Sequence, residues 1–162
     1  MTNYSELFDL AGRRVLVVGA GSGIGRESAL ALAAHGATVV CADRDGVSAA
    51  ETAELIGAAG EPAVLDVLDP NAVQAAAERY ADCAALVFTA ATNVRKRMAD
   101  YTLEEFDRVM NLNLRASFTL LQAFAPRMAA NGGGSIIGFS SIRASVVEPG
   151  QSVYAASKAG LV

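Results

Sequence analysis

The chain alternates short apolar runs with longer segments whose apolar residues recur at helical spacing. Short β-branched runs predict buried strands, and the longer periodic segments predict helices. The predicted strands cover residues 13–18, 37–42, 62–66, 84–89 and 135–140. The predicted helices cover about 23–35, 46–59, 71–81, 103–130 and 153–162. This alternation predicts an α/β fold, a doubly wound parallel sheet of about five strands, in one domain spanning residues 1–162.

Polar residues and glycines support several of the predicted helix boundaries. Asp69 followed by Pro70 has the order of an N-cap and a first helical residue. Thr102 and Glu105 have the spacing of a capping box at the start of the long fourth helix. The run Gly132–Gly134 is expected to end that helix and to lead into the fifth strand.

A glycine-rich segment, GAGSGIG, joins the first predicted strand to the first predicted helix. Backbone N–H groups at such a junction bind a pyrophosphate, and glycines let the backbone approach it closely. Gly19, Gly23 and Gly25 fit a spacing of i, i+4 and i+6, whereas Ile24 breaks the commoner spacing of i, i+2 and i+5. No Gly-Lys-Ser/Thr follows, which excludes a Walker-type phosphate loop. The alternative is a turn that simply requires small residues.

Asp43 ends the second predicted strand, 18 residues beyond Gly25. A carboxylate at this position can hold the 2′-hydroxyl of an adenosine ribose and would repel a 2′-phosphate. The glycine-rich loop has Ser22 and no Lys or Arg of its own. These features favour NAD, although Arg44 leaves NADP possible because a guanidinium could bind the phosphate. The alternative role for Asp43 is a helix cap or a solvated acid in a turn.

Tyr154 and Lys158 are four residues apart in the last predicted helix. Residues at this spacing share one helix face. A phenol with a pKa of about 10 transfers protons poorly near neutrality, and a nearby ammonium lowers that pKa. The pair is therefore a candidate general acid/base. The alternative is an ordinary amphipathic face with a solvated lysine.

Composition excludes several classes of function. The net charge of −4 gives no basic surface for nucleic acid, and the Arg95–Arg97 cluster is expected to be a solvated loop. No apolar run is long enough to span a membrane, and the N-terminal stretch has no signal-peptide core. Cys41 and Cys83 are expected to be reduced core thiols in a cytoplasmic protein. No His/Cys cluster has the spacing of metal ligands.

Together these motifs resemble the short-chain dehydrogenase/reductase family over about residues 10–162. That family has the same glycine spacing, a Tyr-x-x-x-Lys pair, a Ser thirteen residues before the Tyr, an Asn in a segment like NLNLRASF and an Asp-Val pair after the third strand. The resemblance implies catalytic residues Asn113, Ser141, Tyr154 and Lys158. It implies cofactor-binding residues Gly19, Ser22, Gly23, Ile24, Gly25, Asp43, Arg44, Asp66, Val67, Ala90, Tyr154 and Lys158.

The resemblance also implies a reaction, namely hydride transfer between the nicotinamide of NAD or NADP and a secondary alcohol or ketone. Tyr154 would be the general acid/base on the substrate oxygen. Lys158 would lower the pKa of that phenol and hold the nicotinamide ribose. Ser141 would polarise the substrate carbonyl, and Asn113 would hold a water linking Lys158 to solvent.

The chain departs from the family pattern in two places. Phe88–Ala91 stands where the family has Asn-Asn-Ala-Gly, so only Ala90 is kept. The final strands of a typical member are absent, which implies a Rossmann-type fragment whose fifth strand lies at an exposed edge. A complete form is expected to be a homodimer or homotetramer.

There are two alternatives to an active oxidoreductase. The first is an inactive dinucleotide-binding module that pairs with other subunits through helix 103–130. The second, a sugar epimerase or dehydratase, is disfavoured by the glycine spacing.

Overall fold

The computed structural model describes residues 7–162, and the first six residues, part of the stretch predicted to carry no signal peptide, lie outside the described residues. Five strands are present: β1 (Arg14–Val18), β2 (Thr38–Asp43), β3 (Gly60–Val64), β4 (Ala85–Phe88) and β5 (Ser135–Gly138). Six helices accompany them: α1 (Gly23–Ala34), α2 (Gly46–Ile56), α3 (Pro70–Arg79), α4 (Leu103–Met110), α5 (Ala116–Ala130) and α6 (Ser152–Ala159).

The strands form one parallel sheet in the order β3-β2-β1-β4-β5. The two apolar faces of this sheet are covered by separate core clusters, one around Leu16, Leu86 and Phe124 and the other around Val17 and Val39. Residues that alternate along β1 therefore enter different clusters, as expected for a strand buried on both faces. The predicted doubly wound parallel fold is confirmed.

Several predicted boundaries are confirmed by side-chain caps. The Asp69 carboxylate accepts a hydrogen bond from the Asn71 N–H at the start of α3, with Pro70 as the first helical residue. Thr102 and Glu105 form the predicted capping box at the start of α4. Gly133 adopts a positive φ of 93° just after α5, in the glycine run that ends this helix.

Three details differ from the sequence-based prediction. The third strand begins at Gly60, because Gly60 pairs with Val39 and packs so closely on Ala53 that a side chain would overlap its backbone. The predicted helix 103–130 contains a π-helical segment, Asn111–Arg115, between α4 and α5. Short 3₁₀ helices at Met98–Asp100 and Ile142–Ala144 were not predicted.

Both cysteines are free thiols buried in the core. Burial raises the pKa of Cys41 to about 11 and that of Cys83 to about 12. Among residues 7–162, no helix combines the length and the apolar character that a membrane span requires.

Candidate active site

The glycine-rich loop leaves the end of β1 and turns directly into α1. A side chain on Gly25 would overlap the carbonyl of Gly19 and would lie 2.7 Å from the Thr89 hydroxyl, so Gly25 is required by packing. Gly23 has a positive φ of 52°, and a methyl group there would meet no atom within 4 Å. The loop thus closes tightly on its own backbone at one glycine and faces open space at another.

Asp43, at the end of β2, holds the glycine-rich loop in place. Its carboxylate accepts a hydrogen bond from Gly21 N–H at 2.9 Å and another from Asp45 N–H at 3.0 Å. Asp43 therefore bonds to the backbone of a turn. This bonding is part of the alternative role that the sequence left open for it. A carboxylate has about four acceptor sites, so these two bonds leave capacity for a hydroxyl of a ligand.

Arg26 in α1 supports the same loop, although the sequence did not point to it. Its guanidinium donates to the carbonyl of Gly21 at 2.6 Å and to the hydroxyl of Thr52 at 3.0 Å. That hydroxyl in turn donates to the carbonyl of Ala20 at 2.8 Å. Arg26 and Thr52 thus bind the carbonyls of the loop from the side that faces α1 and α2. Neither residue lines the cavity that the loop borders.

A cavity of about 470 Å³ opens at the carboxyl ends of the central strands. In parallel α/β sheets, ligands bind at this end of the strands. Ten of the predicted cofactor-binding residues line this one cavity: Gly19, Ser22, Gly23, Ile24, Gly25, Asp43, Arg44, Asp66, Val67 and Ala90. The cavity is also lined by residues that the sequence analysis did not select, among them Gly21, Ser48, Thr89, Ala91 and Leu112. We call this cavity the nucleotide cleft.

Thr89 and Ala91 are two of the departures from the family pattern, and both lie at the nucleotide cleft. The Thr89 hydroxyl donates to the Val18 carbonyl at 3.1 Å and so ties the end of β4 to the end of β1. A single hydroxyl therefore links the two central strands although Thr89 has no amide side chain. The cavity remains open beside Ala91 despite the methyl group.

A second cavity, of about 370 Å³, contains Ser141 and Tyr154. It lies between the segment that follows β4, the segment that follows β5, and the start of α6. Ala91 lines both this cavity and the nucleotide cleft, so the two adjoin there. The Ser141 hydroxyl oxygen accepts a hydrogen bond from Arg143 N–H at 3.1 Å, which leaves the hydroxyl proton available for donation. We call this cavity the tyrosine pocket.

Lys158 lies one helical turn beyond Tyr154 and lines neither cavity. Its side chain is buried, and its ammonium donates to the carbonyl of Phe139 at 2.7 Å. The Lys158 Nζ atom lies 5.8 Å from the centroid of the Tyr154 ring. Burial lowers the pKa of Lys158 below its ordinary value. The neighbouring hydroxyl of Ser140 donates to the Lys158 carbonyl at 3.1 Å, so Ser140 supports the helix.

Asn113 lies in the middle of the π-helical segment, is 1% exposed and lines neither cavity. Its amide accepts from the Thr92 N–H at 2.8 Å and donates to the Thr92 carbonyl at 2.9 Å. It also donates to the Ser157 hydroxyl at 3.0 Å. Asn113 therefore joins the segment after β4 to α6, the helix that carries Tyr154.

Glu148 joins the walls of the tyrosine pocket. It forms salt bridges with Arg95 at 2.7 Å and Arg143 at 2.5 Å, and it accepts a hydrogen bond from the Gln151 amide at 2.6 Å. Lys96 pairs with Glu105 at 2.8 Å. The Arg95–Arg97 segment is a loop in which Arg95 and Arg97 are exposed, as predicted, although Arg95 and Lys96 also form these ion pairs.

The tyrosine pocket also contains the polar residues Asn93 and Gln151, which were not among the predicted site residues. The Asn93 amide donates to the Gln151 side-chain oxygen at 3.0 Å, across 58 positions of the chain. Such a long-range pair has no periodic signal in the sequence. Gln151 immediately precedes α6, and its place in the loop 142–153 before Tyr154 is the clue that the sequence offered. Within residues 7–162, no group of three or more His, Cys, Asp or Glu residues could hold a metal ion.

Comparison with known proteins gives a consistent result. A family model described as short chain dehydrogenase matches residues 13–162. A (3R)-3-hydroxyacyl-CoA dehydrogenase of Mus musculus is 39% identical over 163 residues, which cover 91% of this chain and 63% of that protein. The ketoacyl reductase HetN of Nostoc is 34% identical and matches 94% of this chain and 56% of its own length.

Solved structures agree with these relatives. A short-chain type dehydrogenase/reductase from Mycobacterium marinum superposes with a TM-score of 0.91 at 32% identity, covering 99% of this chain and 69% of that one. The chain spans less than two thirds of the length of the two curated relatives above.

Proposed function

Because the chain belongs to the short-chain dehydrogenase/reductase family of oxidoreductases, we propose that it transfers a hydride between NAD(P) and a secondary alcohol or ketone. The observation that carries this proposal is the junction of the two cavities at Ala91. A nucleotide in the cleft and a substrate beside Tyr154 would meet at that junction. Proximity of this kind is what a direct transfer between two bound molecules requires.

Three features of the nucleotide cleft support a dinucleotide as its ligand. Gly23 opens onto empty space at the N-terminus of α1, where backbone N–H groups favour a pyrophosphate. Asp43 would accept a hydrogen bond from the adenosine ribose, and Asp66 and Val67 would contact adenine. Asp43 makes NAD the proposed cofactor, while Arg44 at the same cavity keeps NADP as the second choice. The bound nicotinamide would supply or accept the hydride.

The chain itself would handle the proton. Tyr154 is the proposed general acid/base at the substrate oxygen, with Ser141 in the same pocket as a hydrogen-bond donor to that oxygen. Lys158 would stabilise a phenolate on Tyr154, since an ammonium favours a neighbouring negative charge. Asn113 is proposed to position Tyr154 and Lys158, because its hydrogen bond to Ser157 fixes the helix α6 that carries both. Asn113 is also proposed to hold a water that links Lys158 to solvent, as the family resemblance implies.

The relatives suggest where a search for substrates should begin. Two of them are named for 3-hydroxyacyl-CoA and ketoacyl compounds, so 3-hydroxy and 3-oxo acyl compounds are the first class to screen. The free, buried thiols of Cys41 and Cys83 support a reducing compartment, for which we propose the cytoplasm. We propose a single domain, and a homodimer or homotetramer for the complete form.

Replacing Tyr154 tests the proposed chemistry. Tyr154→Phe in the full chain should lower turnover at least a thousandfold, because the phenylalanine ring has no proton to exchange. Its affinity for NAD, measured by calorimetry, should change less than threefold. Tyr80→Phe is the matched control, since Tyr80 is buried in the core with its hydroxyl 3.4 Å from Glu61, and it should keep full turnover. Substantial turnover by Tyr154→Phe would show that another residue transfers the proton.

Cofactor choice is tested by titrating NAD and NADP in parallel. We expect NAD to bind at least ten times more tightly than NADP, because the Asp43 carboxylate would face a 2′-phosphate. Arg44→Ala should weaken NADP binding further and leave NAD within threefold. Preference for NADP in the unmodified chain would instead assign the dominant role to Arg44. Tight binding of either nucleotide without turnover of any substrate would favour the inactive binding module.

A further inference from the structure

The tyrosine pocket is polar to a degree unusual for a ligand cavity. Most small-molecule pockets are lined mainly by apolar and aromatic side chains with a few polar groups. Within residues 7–162, every residue that lines this pocket except Ala91 has a polar side chain. The remaining lining residues are Thr92, Asn93, Ser141, Arg143, Gln151 and Tyr154. An entirely apolar substrate would displace water from these groups and leave part of their hydrogen-bonding capacity unused, which lowers the affinity of such a site for apolar compounds.

The polar wall is held in a fixed arrangement by Glu148. One of its oxygens is paired with Arg143 and also accepts from the Gln151 amide, while the other is paired with Arg95. Gln151 is 6% exposed and also accepts a hydrogen bond from Asn93. Side chains locked by such neighbours are pre-organised for binding and lose little further entropy when a ligand arrives.

Donor capacity remains after these internal bonds are counted. A guanidinium carries five N–H donors and a primary amide carries two. Among residues 7–162, the Arg143 guanidinium pairs with Glu148 alone, and the Gln151 amide donates to Glu148 alone. N–H groups of both side chains are thus available to a ligand in the pocket.

The charge of this wall is also distinctive. Arg95 and Arg143 share the single carboxylate of Glu148, so this group of three carries one net positive charge. The Lys158 ammonium, 5.8 Å from the Tyr154 ring, adds another positive group near the pocket. The protein as a whole has a net charge of −4. A local positive excess in an acidic protein favours an anionic ligand at this position.

We infer that the tyrosine pocket selects a hydroxy or oxo compound that carries a carboxylate close to the reacting carbon, with Arg143 binding that carboxylate and Glu148 holding Arg143 in place. This inference rests on the proposed function, since it names the substrate class of the same site. Arginine suits the role because its planar fork matches a carboxylate. The Gln151 amide, which lines the same pocket as Tyr154, would donate a second hydrogen bond.

The test compares acids with their neutral esters in the full chain with NAD. The panel holds short 2-, 3- and 4-hydroxy carboxylates, each with its methyl ester, which keeps the carbon skeleton and removes the charge. At least one acid should show a kcat/KM ten or more times that of its ester. Arg143→Ala should raise KM for that acid about a hundredfold, change kcat less than threefold and leave the ester unaffected.

Arg95→Ala is the matched control, because Arg95 pairs with the same Glu148 but does not line the pocket. Because Arg95 adds to the local positive charge without lining the pocket, its removal should lower the ratio of acid to ester much less than Arg143→Ala does. If Arg95→Ala and Arg143→Ala lower that ratio equally, general electrostatics explain the preference and the inference is overturned. Equal or better turnover of the esters by the unmodified chain also overturns it, while the proposed oxidoreductase function stands.

If the chain turns over no member of the panel, the proposed oxidoreductase function is judged by the other substrate classes, and the inference is decided by binding. Calorimetry would titrate short carboxylates that lack the hydroxyl group, in the presence of NAD. Binding that Arg143→Ala abolishes and Arg95→Ala retains would support the carboxylate site. Absence of binding to the unmodified chain would overturn it.

Discussion

Gly23 and Gly25 lie two positions apart in the same loop and are required for different physical reasons. A methyl group on Gly25 would overlap the Gly19 carbonyl, whereas one on Gly23 would enter the open nucleotide cleft. Overpacking a tight site costs about 1–3 kcal/mol. A non-glycine residue at positive φ costs about 1–2 kcal/mol. Substitution of Gly25 should therefore mainly lower folding stability, and substitution of Gly23 should mainly weaken nucleotide binding.

Alanine substitutions at these two glycines make that separation measurable. Gly25→Ala should lower the free energy of unfolding by about 2–3 kcal/mol, because the backbone of the loop must move. Gly23→Ala should lower it by about 1 kcal/mol and weaken NAD binding at least tenfold, because its methyl group would fill cofactor space. Urea denaturation and calorimetry report the two quantities. A Gly23→Ala variant with unchanged NAD affinity would place the pyrophosphate elsewhere.

The buried thiols make a prediction about alkaline stability. Their pKa values of about 11 and 12 exceed the ordinary value of 9.0, so the folded chain keeps these protons where the unfolded chain loses them. The resulting stabilisation is complete below pH 9 and is lost as pH rises toward 11–12. The double variant Cys41→Ala, Cys83→Ala should therefore lose less stability than the parent between pH 8 and about 10.5. Urea denaturation at both pH values checks this, and equal losses would contradict it.

Residues that belong to one continuous motif could be predicted, and residues assembled from distant segments could not. The glycine-rich loop, Asp43 and the Tyr154–Lys158 pair follow from local spacing, and the structure places the first two at one cleft. Asn93, Glu148 and Gln151 meet only because two loops converge on the tyrosine pocket. Nothing in their local sequence encodes that convergence.

At the scale of elements, the predicted helix 103–130 illustrates the same limit. Its capping box and its terminal glycines are local signals and were predicted. The π-helical turn at Asn111–Arg115 was not predicted, because the spacing of apolar residues along a helix does not reveal a single wider turn. Asn113 lies in that turn, bonded to Thr92 and Ser157. The turn is thus stabilised by tertiary contacts that helical periodicity does not report.

Asn113→Ala should therefore be strongly destabilising. It would leave the Thr92 N–H and carbonyl and the Ser157 hydroxyl without the partner that Asn113 provides in a buried site. Unpaired buried polar groups cost about 1–3 kcal/mol each, and partial relaxation should bring the loss to about 3 kcal/mol. Asn131→Ala is the control: it removes one exposed bond to Ala81 and should cost about 1 kcal/mol or less. Urea denaturation of both variants measures the difference, and equal losses would show that the π turn does not depend on Asn113.

At the scale of the whole molecule, the two edges of the sheet are protected to different degrees. The β3 edge carries Pro62 and Glu61, and Glu61 pairs with Arg14 and Arg79. The β5 edge reads SIIG, with no charge and no proline, and Ile137 is 46% exposed. Charged residues and proline are the usual protection of an edge strand against pairing with another chain. The β5 edge of this 162-residue chain therefore lacks the protection that β3 has.

Ile137→Lys should slow aggregation of this 162-residue chain at least severalfold, because a charged side chain on an unpaired edge disfavours strand addition. Light scattering during incubation at 37 °C would measure the rate. Val64→Lys on β3 is the control, since Val64 is 74% exposed but its strand already carries Pro62. If exposed apolar area alone caused aggregation, Val64→Lys would help at least as much as Ile137→Lys. A benefit confined to Ile137→Lys would assign aggregation to backbone pairing at the β5 edge.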